Sequence, residues 1–154
     1  MNKGPHTVHT MGYTGRTVED IANAAKALRA IVVDIRYSPR SKAGCWNGPA
    51  LRSRLEMLGV DYVWMPEFGN VNYKTPARPI MLKDPNAGCK KLRKLTENGS
   101  AVILLCACPK ASECHRTRVA EGMARRFGSK IRHQDIAIQD RSTKVEDDRQ
   151  APLF

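Results

Sequence analysis

Long apolar runs are missing from this chain of 154 residues. The longest, Ala101 to Ala107, is the length of one strand, so nothing in it reads as a membrane-spanning helix. No export leader is expected either: Met1-Asn2-Lys3-Gly4-Pro5-His6 has no apolar core, and a cytoplasmic protein without a membrane partner is expected. Acidic residues are scarce, 15 against 26 basic, for a net charge of +11 and a pI near 9.8. A field of that sign attracts phosphates, nucleotides and nucleic acid. Aromatic residues make up only 6%, and no helix-turn-helix, zinc-finger or RRM signature is present. Internal repeats and low-complexity segments are lacking. Cysteines number 5, an odd count in a chain without an export signal, which argues against a disulfide framework and for reduced thiols with chemical or metal-binding uses.

What is present is alternation of strand and helix. Thr7–Met11 reads as a first strand, and Thr17 with Asp20 as a near capping box for a helix to about Ala30. Ile31–Ile35 is a second, buried strand. Pro49, with Asn47 or Gly48 as cap, opens a helix buried through Leu51, Leu55 and Leu58 and ended by Gly59. Val60–Met65 is a third strand, and Asp84-Pro85 starts a helix carrying Cys89, Leu92 and Leu95. Ala101 to Cys106 is the fourth strand, followed after a short loop by a helix read over Arg118–Phe127; Lys130–Ile136 is a weaker edge strand. Repeated βαβ units imply an α/β, Rossmann-like three-layer fold. The expected sheet is mainly parallel, with about five strands and helices on both faces. The domain is expected over residues 1–138, with a polar, poorly ordered tail over 139–154. Val71 to Lys83 reads as a mobile loop, a candidate lid.

In such sheets ligands bind beyond the carboxyl ends of the strands. The loops there carry Thr14 and Arg16, then Asp34, Arg36, Arg40 and Ser41, then Glu67, and finally Cys106, Cys108, Cys114, His115 and Arg116. A helix start offers unpaired N–H groups to an anion, and the same positive field favours a thiolate. Cys106, Cys114, His115 and Asp34 are therefore the candidate catalytic residues. Either thiol could react, with the strand-end Cys106 the first choice. Arg116, Arg36, Thr14, Arg16, Arg40, Ser41 and Glu67 are the candidate ligand- or anion-binding set. An ion pair of Asp34 with Arg36 or Arg40 competes with a catalytic role for that carboxylate.

Met11-Gly12-Tyr13-Thr14-Gly15-Arg16, the strand-end Val33-Asp34-Ile35-Arg36-Tyr37-Ser38-Pro39, Pro66-Glu67-Phe68-Gly69-Asn70 and Leu105-Cys106-Ala107 with Cys114-His115-Arg116 together resemble the domain-of-unknown-function family 488. The resemblance runs from about Thr7 to Ile136. It implies an α/β domain and marks Asp34, Arg36, Cys106, Cys114, His115 and Arg116 as matching positions, without giving a reaction. Two departures stand out: Cys108 replaces an acidic residue usual in the family, and the segment between Asn70 and Asp84 is short.

Three chemistries remain. The first is a Cys-dependent hydrolase or transferase acting on a phosphate-bearing small molecule or nucleic acid, with no cofactor firmly implied. It is not the usual phosphatase loop, because the Cys-to-Arg spacing is too long and glycines are missing. The second is a zinc or iron site built from Cys106, Cys108, Cys114 and His115, although adjacent Cys114 and His115 side chains diverge. The third is a non-catalytic nucleic-acid-binding module, with Tyr37, Trp46 and Tyr73 available to stack on bases. Trp46 and Trp64 have the core as an equal alternative.

Overall fold

The computed structural model describes residues 4–108 and 114–134. Among them five strands form one sheet: β1 (Thr7–Gly12), β2 (Ala30–Asp34), β3 (Tyr62–Trp64), β4 (Ala101–Cys106) and β5 (Lys130–His133). Their order is β3-β2-β4-β1-β5 and every pairing is parallel. The helices are α1 (Val18–Leu28), α2 (Gly48–Met57), α3 (Pro85–Leu95) and α4 (His115–Phe127). None of the described helices is long and apolar enough to cross a membrane.

Each element follows from local chemistry. Thr17 and Asp20 close a reciprocal capping box at the start of α1. That helix stops at Leu28 because Arg29 turns left-handed, at φ 53°. Asp84 accepts the Ala87 N–H ahead of Pro85 to open α3. Alternation along the strands then builds two cores. Ile103 and Leu105 of β4 face one side with Ile21, Ala24, Leu51 and Leu55 of α1 and α2. Val102, Leu104 and Cys106 face the other with Leu92 of α3 and Val119, Met123 and Phe127 of α4. This parity aims Cys106 at the α4 side of the sheet.

The topology also fixes where a site can form. From β2 the chain leaves by α2 on one face toward β3; from β4 it leaves by α4 on the other face toward β5. Neighbouring strands whose connections diverge in this way leave a crevice beyond their carboxyl ends. Ile35 and Cys106 lie at its two lips, the Ile35 N–H bonding the Leu105 carbonyl at 3.1 Å.

Several boundaries differ from the sequence reading. The last helix begins at His115 rather than Arg118, because Arg116 joins Val119, Ala120, Met123 and Phe127 on its buried face. An arginine was not counted in an apolar stripe. The third strand is shorter than expected, and β5 is described only to His133, so Asp135 and Ile136 lie outside the described residues, as does the tail. The segment from Val71 to Lys83 is tied at its neck. Asn70 Oδ1 accepts the N–H groups of Asn72 and Met81, Val71 N–H bonds the Met81 carbonyl, and Lys83 N–H bonds the Gly69 carbonyl. Arg118, in the first turn of α4, donates to the Ile80 carbonyl and holds the loop beside that helix.

Candidate functional site

Three sulfurs meet in the crevice between β2 and β4. Cys106 Sγ is 2.7 Å from Cys114 Sγ. The sulfurs of Cys106, Cys108 and Cys114 all lie within 4.8 Å of one another and form a cluster that could hold a metal ion. Cys114 is the N-cap of α4, and its sulfur accepts the Arg116 N–H at 3.5 Å. The Arg116 side chain is fully buried and reaches back into the cluster, where Nη1 donates to the Cys108 carbonyl at 2.6 Å and to Cys106 Sγ at 3.4 Å.

His115 bridges the crevice. Its Nε2 is 2.9 Å from the Ile35 carbonyl and its Nδ1 is 3.7 Å from Cys114 Sγ. A carbonyl only accepts, so Nε2 carries the proton and the Nδ1 lone pair faces the thiol. Burial lowers the His115 pKa and outweighs the Ile35 bond, which favours the neutral ring.

The three thiols differ sharply in environment. Cys108 is half-buried, and hydrogen bonds from Cys106 and Cys114, helped by the Arg116 charge, draw its pKa far below that of an ordinary thiol. Burial pushes Cys106 up, as do its contacts with the other two thiols. For Cys114 the bond with Cys106 lowers the pKa, but the bond to Cys108 and burial win and raise it to about 11. The thiolate form is thus favoured at Cys108 and disfavoured at Cys106 and Cys114.

Asp34 sits one residue from the Ile35 contact but is fully buried and fully used. Its Oδ1 accepts the Arg36 backbone N–H at 3.2 Å and Nε at 2.8 Å; its Oδ2 accepts Arg36 Nη2 at 2.6 Å and the Tyr62 hydroxyl at 2.5 Å. Four donors fill the lone-pair positions of one carboxylate. The Tyr62 hydroxyl is pushed up by burial and the carboxylate, and Asp34 outweighs burial to raise the Arg36 pKa. Arg36 lies over the Tyr13 ring, 5.2 Å to the centroid, and Tyr13 stacks on Trp46 at 4.2 Å. Trp46 is therefore a buried wall and not a surface for a base.

The other sequence candidates are distributed around the rim. The Thr14 hydroxyl donates to the Ala107 carbonyl and the Tyr13 N–H to the Cys106 carbonyl, so the loop after β1 braces the thiol segment. Arg16 is buried and donates to the Gln134 carbonyl beyond β5. Ser41 bonds within its own turn, its N–H to Asn47 Oδ1 and its hydroxyl taking the Ala43 N–H. Arg40 is exposed on the same loop. Glu67 pairs with Lys91 of α3, away from the sulfurs. Cys106, Cys114, His115 and Arg116 are thus brought together, whereas Asp34 lies on the other face of the sheet with Tyr62 and Arg36 and Arg16, Ser41 and Glu67 are engaged elsewhere. Sequence reasoning missed Tyr62 and the distinct state of Cys108. It also missed Gly12, where a Cβ would sit 1.4 Å from the Cys108 carbonyl oxygen.

The fold and the crevice define a parallel α/β domain with a thiol–guanidinium cluster at the divergence of two strands. Residues 17–123, more than half of the chain, match the family model described as Domain of unknown function DUF488, and the protein belongs to that family. No curated protein and no solved structure matches the chain.

Proposed function

We propose that the cluster is the active site of a Cys-dependent hydrolase or transferase acting on a phosphate-containing ligand, a nucleotide or nucleic acid, with Cys108 as nucleophile. One observation carries the reading: of the three clustered cysteines only Cys108 is not fully buried, and two buried thiols and a buried guanidinium lie behind it. A thiolate is the reactive form of cysteine. Cys114, which retains its proton, stands ready to protonate a leaving group, and neutral His115 accepts a proton at Nδ1. Asp34 acts as a positioning residue through Arg36 and the Ile35 segment. Arg116 is spent inside the cluster, so the exposed Arg40 and Arg118 are assigned to the phosphate, and the net charge of +11 draws it in.

The test is alkylation by iodoacetamide, read site by site by mass spectrometry. A lowered pKa means that Cys108 stays deprotonated until the pH falls well into the acid range. Its rate is therefore expected to be flat across neutral pH, where an ordinary thiol slows tenfold per unit below about 8.5. Nucleotides or phosphate should protect it. An ordinary thiol profile at Cys108 would remove the nucleophile from the scheme.

A second reading, a metal centre, is favoured by the same three sulfurs. Thiolates suit zinc or iron, and two or three ligands could come from Cys106, Cys108 and Cys114. Sulfurs around one zinc stand about 3.7 Å apart for bonds of about 2.3 Å, so Cys106 and Cys114, at 2.7 Å, would have to separate. Elemental analysis of the purified protein decides between the two. About one zinc or iron per chain, lost in Cys108→Ser, would put the metal in place of the nucleophile.

A further inference from the structure

Beside the thiol crevice the fold displays aromatic rings that it does not need for its own core. Tyr37 is 36% exposed, Trp64 45% and Tyr73 45%, whereas Tyr13 and Trp46 are buried against each other. The three exposed rings belong to neighbouring segments. Trp64 Nε1 donates to the Arg36 carbonyl at 2.8 Å, which fixes the indole next to Tyr37 with much of its ring open. Tyr37 and Tyr73 stand 5.9 Å apart between centroids at 44°. The backbone beneath them is packed: a Cβ on Gly69 would fall 2.5 Å from Tyr37 Cα, so glycine lets the two loops touch. The neck bonds of the 70–83 loop then hold Tyr73 in place.

Cations interleave with these rings. Lys83 Nζ lies 5.9 Å from the Tyr37 centroid and Lys74 Nζ 5.8 Å from that of Tyr73, and Arg40 is exposed three residues beyond Tyr37. The acids on the same segments are committed, Glu67 to Lys91 and Asp84 to the cap of α3. Exposed rings at intervals with ammonium groups beside them match bases and phosphates in alternation. The chain from Asp34 to Tyr37 borders both regions, because Ile35 meets His115 and Arg36 meets Trp64.

We propose that Tyr37, Trp64 and Tyr73, with Lys74, Lys83 and Arg40, form a docking track for single-stranded nucleic acid that leads to the thiol crevice. Bases stack on the rings, and the lysines leave the rings to meet the phosphates. The inference deepens the reading of the crevice by naming its substrate class, but apart from Arg40 it stands on different residues.

Fluorescence anisotropy of a labelled single-stranded oligonucleotide of about ten nucleotides tests it. Wild-type protein is expected to bind at low salt with a log–log salt slope of about −2, the value for roughly three phosphates on a single strand. Tyr37→Ala and Tyr73→Ala should each weaken binding about tenfold. Both side chains are exposed, so the fold should be retained, and circular dichroism checks that it is. Binding should quench tryptophan emission, and Trp64→Phe should abolish the quench while buried Trp46 still emits. Retained binding in Cys108→Ser would support the track whatever the fate of the nucleophile; loss there would move the ligand into the crevice and overturn it. The proposal also fails if wild type does not bind. It fails if duplex of the same length binds as well, or if the tyrosine variants bind like wild type. Concentration-dependent dimerisation that buries Trp64 without oligonucleotide binding would assign the rings to a second copy of this chain instead.

Discussion

Asp34→Ala is expected to cost about 3–5 kcal/mol of folding stability, the usual effect of removing one partner from a buried ion pair. The carboxylate has no exposure, and its partner Arg36 is nearly as deeply buried, so the variant would leave a guanidinium in a dry interior facing only the Tyr13 ring and hydroxyl. The Tyr62 hydroxyl would lose its acceptor at the same time. Removing the cation as well should help: Asp34→Ala with Arg36→Met is expected to be more stable than Asp34→Ala alone, because no uncompensated charge remains. Urea denaturation of the four proteins in the cycle measures this. The positioning role assigned to Asp34 would be wrong if Asp34→Ala unfolded at wild-type urea concentrations yet lost the Cys108 chemistry. The carboxylate would then be returned to proton transfer.

Gly12→Ala carries the second large effect, and it links the sheet to the thiols. Gly12 ends β1 in register with Cys106, and the Cys108 carbonyl packs against it so closely that an added Cβ would lie 1.4 Å from the oxygen and 2.4 Å from the carbon. These are backbone atoms, which cannot swing aside as a side-chain tip would. Residues 107 and 108 must therefore move, and the 2.6 Å bond from Arg116 to the Cys108 carbonyl is lost with them. A destabilisation of about 1–3 kcal/mol is expected from overpacking. The sharper readout is chemical. Cys108 should leave its donors, and its alkylation should slow at neutral pH toward that of an ordinary thiol. A variant as stable as wild type, with Cys108 still fast, would show that the close approach does not set the cluster's geometry.

Much of the architecture was legible because its signals are local. Thr17 and Asp20 announced the first helix, and apolar runs such as Val102–Leu105 announced buried parallel strands. Cys106, Cys114, His115 and Arg116 lie close in sequence around one strand end, so their meeting was local, whereas Asp34 turned out to face the other side of the sheet. The errors share a cause: they concern residues whose role depends on a distant partner. Arg116 read as a hand for an outside anion because arginine rarely lies fully buried, and a helix start capped by cysteine lacks the usual Ser, Thr, Asp or Asn. Trp46 and Trp64 could not be told apart until Tyr13 was seen to cover one and the Arg36 carbonyl to hold the edge of the other.

By itself the sequence determined the βαβ order, the place of Cys106 at a strand end and the excess positive charge, since these depend on spacing and composition alone. Tertiary structure decided which thiols are buried and which carboxylate is already satisfied. It also decided which aromatic rings meet water. Those properties arise from burial and from hydrogen bonds between residues far apart in the chain, such as Tyr62 with Asp34 and His115 with Ile35, and no local pattern encodes them.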